Sequence, residues 1–294
     1  MRISIIGSGY VGFKIGSGLL ALGNDVIFYD INEKRIEELK EKGYDATTDI
    51  EHAVKNSEVS FVTVPTPSKE DGSIDLSYIE AASEALGKAL KKKEGYHLIV
   101  IKSTVVPLTT EKIVKPILEK FSGKKCGKDF GLCMNPEFLT EIHSSWTEDE
   151  NFKRDFFNEE RIVIGEFDKK SGDILEEIYK PLEIPVFRTD LKTAEMIKYA
   201  SNCCLASRIS YWNEIFYICK KLGIDSNLVA RIVSMDKRIG KYGTIHGKGF
   251  GGKCLPKDLK AFIKFSEEIG YEPKLLKAVD EINEKIKKEY GVRE

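Results

Sequence analysis

The sequence predicts an α/β protein in which a doubly wound, mostly parallel sheet is followed by a helical domain with a long spine helix. Three observations carry this. Short apolar, β-branched runs alternate with helical patterns over roughly the first 190 residues, as in a parallel sheet with crossover helices. A glycine-rich turn joins the first run to the first helix. From Lys192 the pattern turns wholly helical and meets neither Gly nor Pro until Gly223. The boundaries follow as 1–190 for the sheet domain and 191–294 for the helical one.

Arg2 to Gly7 reads RISIIG, a strand ending in glycine, and Gly7-Ser8-Gly9-Tyr10-Val11-Gly12 follows at once. A helix runs on through Ile15, Leu19 and Leu22, and Asp25 to Asp30 (DVIFYD) makes a second strand ending in an acid 18 residues past Gly12. Glycines allow the tight turn and the close approach of a pyrophosphate, while the helix N-terminus offers N–H donors and a positive dipole. Full βαβ context makes this a Rossmann dinucleotide-binding turn more readily than a structural glycine turn. Asp30 suits the ribose hydroxyls and repels a 2′-phosphate, favouring NAD over NADP, although Arg35 nearby pulls the other way.

Further strands are expected over 59–64, 97–103, 131–135, 161–166 and 186–188. Ligands in such sheets lie beyond the strand C-termini. Three strand ends there carry Pro65-Thr66-Pro67, Lys102-Ser103-Thr104 and Asn135-Pro136-Glu137, the last leading to Glu141. Each is equally readable as ordinary loop chemistry. Residues 144–160 form a polar, charged insertion bearing aromatics, readable as a surface flap or a lid. The spine beyond Lys192 places Glu195, Lys198 and Asn202 on one helical face. That face could aim at a ligand or be a solvated stripe.

The stretch Gly249-Phe250-Gly251-Gly252-Lys253-Cys254-Leu255-Pro256-Lys257-Asp258 stands out. Glycines let backbone approach a ligand, and neighbouring lysines favour thiolate, the nucleophilic form. By itself the stretch also fits a tight turn with a half-buried structural cysteine.

Composition excludes several classes. Lys+Arg 46 against Asp+Glu 47 gives a net charge of -1, with no footprint for nucleic acid or an anionic membrane. The six cysteines show no CxxC spacing and the four histidines lie far apart, so no metal site is expected. With no signal peptide and no apolar run of membrane-spanning length, a reduced cytoplasmic protein is expected.

Taken together, IIGSGYVG (5–12), Asp30 with Asn32 and Arg35, VPTP (64–67) with DGSIDLS (71–77), IKSTVVP (101–107), NPEFLTE (135–141), EMIKYASNCCLASRISYWNE (195–214), RIG (238–240) and GFGGKCLPKD (249–258) resemble the nucleotide-sugar 6-dehydrogenases, the UDP-glucose/GDP-mannose dehydrogenase family. The resemblance covers nearly the whole chain, and its last block is close to diagnostic. It implies NAD-dependent, four-electron oxidation of a sugar C6 alcohol to the carboxylate, with UDP-glucose the favoured substrate because GFGGKC looks like the UDP-glucose form. Cys254 would form a thiohemiacetal and then a thioester. Lys198 and Asn202 would stabilise oxyanions at C6. Glu137 would act as base or hold a water, and Asp258 and Thr104 would orient Lys198 or that water.

The resemblance further implies cofactor contacts from Gly7, Gly9, Tyr10, Val11, Gly12, Asp30, Arg35, Pro65, Thr66, Thr104 and Glu141. Substrate contacts would come from Glu137, Phe138, Leu139, Lys198, Asn202, Arg238, Phe250, Gly251, Cys254 and Lys257. Arg238 would reach a neighbouring subunit's sugar site, which implies a homodimer built on the spine. Two departures stand out. Family members usually continue into a C-terminal nucleotide-binding domain, so this domain is expected to be absent from a chain ending at Glu294, or supplied by a separate chain. Ile142 stands where the family usually has glycine. The rivals are a non-catalytic or split-enzyme NAD-binding subunit and a single-step dehydrogenase of a 3-hydroxy acid, which needs no thiol.

Overall fold

The computed structural model describes residues 1–140, 146, 147, 149, 152 and 154–293. The chain forms two compact units. The first comprises Met1–Pro67, Asp75–Phe138 and Asp155–Lys198; the second comprises Ser68–Ile74, Leu139–Arg154 and Tyr199–Glu294.

The first unit is built on an eight-stranded sheet. Its elements run β1 (Arg2–Ile6), α1 (Tyr10–Ala21), β2 (Asp25–Tyr29), α2 (Glu33–Glu41), β3 (Asp45–Thr47), α3 (Ile50–Lys55), β4 (Val59–Val62), α4 (Ser77–Lys92), β5 (Leu98–Ile101), α5 (Lys115–Ser122), β6 (Gly131–Met134), β7 (Ile162–Glu166), α6 (Lys169–Tyr179) and β8 (Val186–Asp190). Strand order is β3-β2-β1-β4-β5-β6-β7-β8, and the β6–β7 pair alone is antiparallel. Strands β4, β5 and β6 are buried along their whole length, as expected of a parallel sheet covered by helices on both faces. Each expected strand forms, several ending a residue or more early where the chain leaves the sheet for a strand-end loop. Strand β3 is short and pairs only with β2 at the sheet edge, too brief to show as a periodic run.

Helix α7 (Leu191–Leu222) is the expected spine, 32 residues long. Its first turns belong to the first unit, where Glu195 is fully buried. The Glu195 carboxylate accepts from Leu108 N at 2.6 Å and Thr110 N at 2.8 Å. It thereby caps a π-helical turn, Thr110–Val114, entered through Leu108 at φ 77°. Burial pushes this carboxyl up to about 7.

The second unit holds the rest of α7, then α8 (Ser226–Val233), β9 (Gly249–Phe250), α9 (Leu255–Glu268), α10 (Lys274–Tyr290) and β10 (Val292–Arg293), with β9 and β10 paired in parallel. Trp146, Cys203, Ala206, Ile209, Phe250, Leu259 and Val279 form its core. Two described aromatics of the insertion are therefore core residues, not surface ones. Trp146 is 7% exposed in this core, and Phe156, also 7% exposed, packs against Gly18 in the first unit.

Candidate active site

The glycine turn has the geometry its sequence demands. Gly7 has φ +97°, a conformation that side chains resist, and a Cβ on Gly12 would lie 2.0 Å from the Gly7 carbonyl oxygen. Helix and strand can meet this closely only with glycine at position 12. A Cβ on Gly9 would meet nothing within 4 Å, and no side chain caps the N–H groups that open α1. Tyr10 is exposed and Val11 half-buried at the same opening. Bare donors, the positive helix end and open space fit a pyrophosphate.

At the end of β2, Asp30 accepts from Ser8 N through Oδ2 at 2.7 Å and from Asn32 N through Oδ1 at 3.0 Å. The carboxylate is thus fixed beside the turn. Arg35 donates from Nε to Ser8 O at 2.8 Å, pairs with Glu38 at 3.0 Å and lies over the Phe13 ring. Its charge is partly spent within the protein, which weakens its claim on a 2′-phosphate. Thr66 donates from Oγ1 to Thr104 O at 2.9 Å, tying the loops after β4 and β5 together, with Pro65 exposed next to it.

A second cluster forms where β6 ends. Lys198, on α7, has a side chain only 4% exposed, and its Nζ donates to Glu137 O at 2.6 Å and Glu137 Oε1 at 2.9 Å. Such a buried pair is held by charge-assisted hydrogen bonds rather than by solvent. Phe138 carries Arg161 over its ring at 4.3 Å and Lys198 at 5.5 Å. Glu141 lies outside the described residues.

The third cluster is in the second unit. Cys254 is exposed and occupies the N-cap position of α9, at the positive end of the helix. Asp258, one turn on, is 1% exposed and donates its backbone N–H to Cys254 O at 2.9 Å. Its Oδ2 accepts from Asn202 Nδ2 at 2.6 Å and its Oδ1 from Lys257 Nζ at 2.5 Å. Asp258 was expected to orient Lys198 or a water; its partners here are Asn202 and Lys257. Of the two lysines expected to favour the thiolate, Lys257 is paired with Asp258, while Lys253 is exposed.

Phe250 is fully buried, with its N–H donating to Asn283 Oδ1 at 2.8 Å and its carbonyl accepting from Asn283 Nδ2 at 3.2 Å. Asn283 thus fastens the glycine stretch. Gly251 is half-buried, and a Cβ there would strike Val292. Leu139 is half-buried. Arg238 turns into solvent and pairs with Asp236 at 2.6 Å. Its loop is held by Arg208, whose Nε donates to Tyr242 O at 3.1 Å and whose Nη2 reaches the Ile239 and Gly240 carbonyls.

Two of these supporting residues, Asn283 and Arg208, escape sequence reasoning: both are polar residues in helical patterns, and only the folded contacts show them engaged with backbone. Glu195, expected on a ligand-facing or solvated face of the spine, is buried instead. Among the described residues, no cluster of His, Cys, Asp and Glu could hold a metal, and no helix is long and apolar enough to cross a membrane.

A doubly wound sheet with a bare glycine turn and an acid fixed beyond it defines the first unit as a dinucleotide-binding fold. The chain belongs to the UDP-glucose/GDP-mannose dehydrogenase family: the model of the family's NAD-binding domain matches residues 1–45 and 40–183, and that of its central domain residues 192–285. It is 39% identical over 301 residues to a GDP-mannose 6-dehydrogenase of Pseudomonas savastanoi pv. phaseolicola, covering 95% of this chain and 67% of that one. It is equally 39% identical over 308 residues to the UDP-glucose 6-dehydrogenase AglM of Haloferax volcanii, covering 97% and 70%. A UDP-glucose dehydrogenase structure from the hyperthermophilic archaeon Pyrobaculum islandicum superposes with TM-score 0.87 at 36% identity, covering 97% of this chain and 68% of that one. The chain spans about two thirds of the length of these relatives. NAD is its cofactor, in keeping with the matched NAD-binding domain and the glycine turn.

Proposed function

We propose that the chain oxidises the C6 alcohol of a nucleotide sugar to the carboxylate in two NAD-dependent steps, with UDP-glucose as substrate and UDP-glucuronate as product. The observation that carries this reading is the Asn202–Asp258–Lys257 cluster beside Cys254 at the head of α9. An oxidation that stopped at the aldehyde would need no thiol.

NAD⁺, when bound, accepts the hydride of each oxidation. The chain's own groups do the rest. Cys254 adds as thiolate to the C6 aldehyde, forming a C–S bond while the carbonyl electrons move to oxygen, which takes up a proton. Loss of hydride from carbon, together with the hydroxyl proton from oxygen, converts that thiohemiacetal to a thioester. Water then adds to the thioester carbon, the C–S bond breaks, and the thiolate is the leaving group. Lys198 and Asn202 donate to the oxygen that gathers negative charge. Glu137, held at hydrogen-bond distance from Lys198, is the group to accept a proton from the alcohol or the water. Asp258 keeps Asn202 turned to its task.

UDP-glucose is favoured over GDP-mannose by the GFGGKC form of the cysteine stretch, and the Pyrobaculum UDP-glucose dehydrogenase likeness agrees. A homodimer is favoured by exposed apolar side chains on the second unit, including Ile218, Leu222, Leu228, Ile232 and Met235. The test is NADH formation by the purified chain with each sugar nucleotide. A kcat/KM at least about tenfold higher for UDP-glucose, worth about 1.4 kcal/mol in the transition state, is expected. The reverse ratio would assign GDP-mannose.

A further inference from the structure

We propose that Lys102, with Glu159 as its counter-charge, is a positioning residue that clamps the Asn135–Glu137 turn so that Glu137 meets Lys198. The proposal rests, for its catalytic consequence, on the reaction assigned above.

Lys102 follows β5 and is only 3% exposed. Its Nζ donates to Asn135 Oδ1 at 2.8 Å, and to Pro136 O and Tyr179 Oη, each at 3.4 Å. Tyr179 donates to the same Asn135 Oδ1 at 2.7 Å, and Asn135 Nδ2 donates to Val163 O at 2.7 Å. Lys198 then takes the next carbonyl, Glu137 O, at 2.6 Å. Two successive carbonyls of one turn are therefore held by two different buried ammonium groups.

Buried charge is costly unless it is compensated, and an apolar side chain of similar size would avoid that cost. The three acceptors of Lys102 are neutral oxygens. Compensation comes from Glu159, whose charge favours the Lys102 ammonium and which lines the same small pocket as Lys102, Asn135, Pro136 and Tyr179. Glu159 Oε1 also accepts from Phe138 N at 3.5 Å, so it grips the far end of the same turn. The charged groups acting on Lys102 are Glu159 and Glu137, which favour its ammonium, and Lys198, which opposes it. With Lys102 itself they make a set of two cations and two anions. Burial nevertheless brings Lys102 down to about 8, so the clamp loosens at mildly alkaline pH.

The test combines amide hydrogen exchange of the 131–140 peptide with pH–rate profiles, using wild type, Lys102→Met and Glu159→Gln. Both variants are expected to speed exchange at positions 135, 137 and 138 at least tenfold, leaving β1 within twofold and NAD⁺ affinity within threefold. Lys102→Met is expected to lower kcat ten- to a hundredfold. Glu159→Gln is expected to move the alkaline limb of kcat to lower pH, a shift that a merely structural role would not produce. Should Lys102→Met not fold, Glu159→Gln gives the same readouts. Exchange within twofold of wild type in the folded variants, or an unmoved alkaline limb in Glu159→Gln, would overturn the proposal. If wild type oxidises no nucleotide sugar, the reaction reading falls, and the exchange rates still decide whether the clamp exists.

Discussion

Asp258 holds Asn202 through one carboxylate oxygen and Lys257 through the other, at 2.6 and 2.5 Å, while its backbone N–H closes the first turn of α9 onto Cys254. A single buried acid thus ties the spine helix to the helix that carries the thiol.

Replacing it by asparagine keeps the shape and removes the charge. Asp258→Asn is expected to lower kcat on the order of a hundredfold, in the range for loss of a group that orients the reacting machinery. Steady-state kinetics with saturating NAD⁺ check this. A rate within threefold of wild type would show that the Asn202–Asp258 bond is structural only.

Cys254 should be the fastest of the six cysteines to react with iodoacetamide at pH 8. Burial pushes Cys126 and Cys203 up to about 12 and Cys133 well above its ordinary value, so these remain thiols. Cys204 is exposed as well but does not stand at a helix N-cap, and it should label more slowly. Peptide mapping after timed alkylation reads the order, and bound sugar nucleotide should protect Cys254. Cys254→Ser should bind NAD⁺ normally and form no uronate.

Asp30→Ala removes the acceptor for Ser8 N and Asn32 N together with the negative charge at the end of β2. NAD⁺ affinity is expected to fall about tenfold, on the scale of one charge-assisted hydrogen bond, while NADP⁺ gains in relative terms. Titration of both cofactors by quenching of protein fluorescence checks this, and an unchanged ratio of affinities would mean that Asp30 does not read the ribose.

Glu195 makes stability depend on pH with a definite sign. Its carboxyl titrates near 4.5 when unfolded and at about 7 in the fold. The folded state therefore binds more protons across that window, and stability present below the unfolded value is lost as pH rises to about 7. The melting temperature should fall between pH 5 and pH 7.5 in wild type, and Glu195→Gln should flatten that part of the profile. Differential scanning fluorimetry across the range reads both, and identical slopes would contradict the assignment.

Much of this was legible in the sequence because local chemistry dictated it. Gly7, Gly9 and Gly12 have one economical use between a strand and a helix, and an acid closes the strand that follows. The spine was legible because helical spacing runs unbroken from Lys192 to Gly223. What stayed hidden depends on contacts distant in sequence. Glu159 looks like an ordinary surface charge and Lys102 is equally readable as strand-end loop chemistry, and only the packing of Asn135 and Tyr179 around Lys102 reveals a buried cluster. The π-helical turn at Thr110–Val114 was equally hidden, since its cap comes from Glu195, more than eighty residues on. The insertion stayed open between flap and lid because its charges suit either, whereas its Trp146 and Phe156 are core residues.

The most direct measurement is the yield of NADH per UDP-glucose consumed by the purified chain under saturating NAD⁺. The account predicts two NADH for each sugar, with UDP-glucuronate as product and no accumulating aldehyde. One NADH per sugar with the aldehyde released would contradict it, because Cys254 would then have no second oxidation to serve.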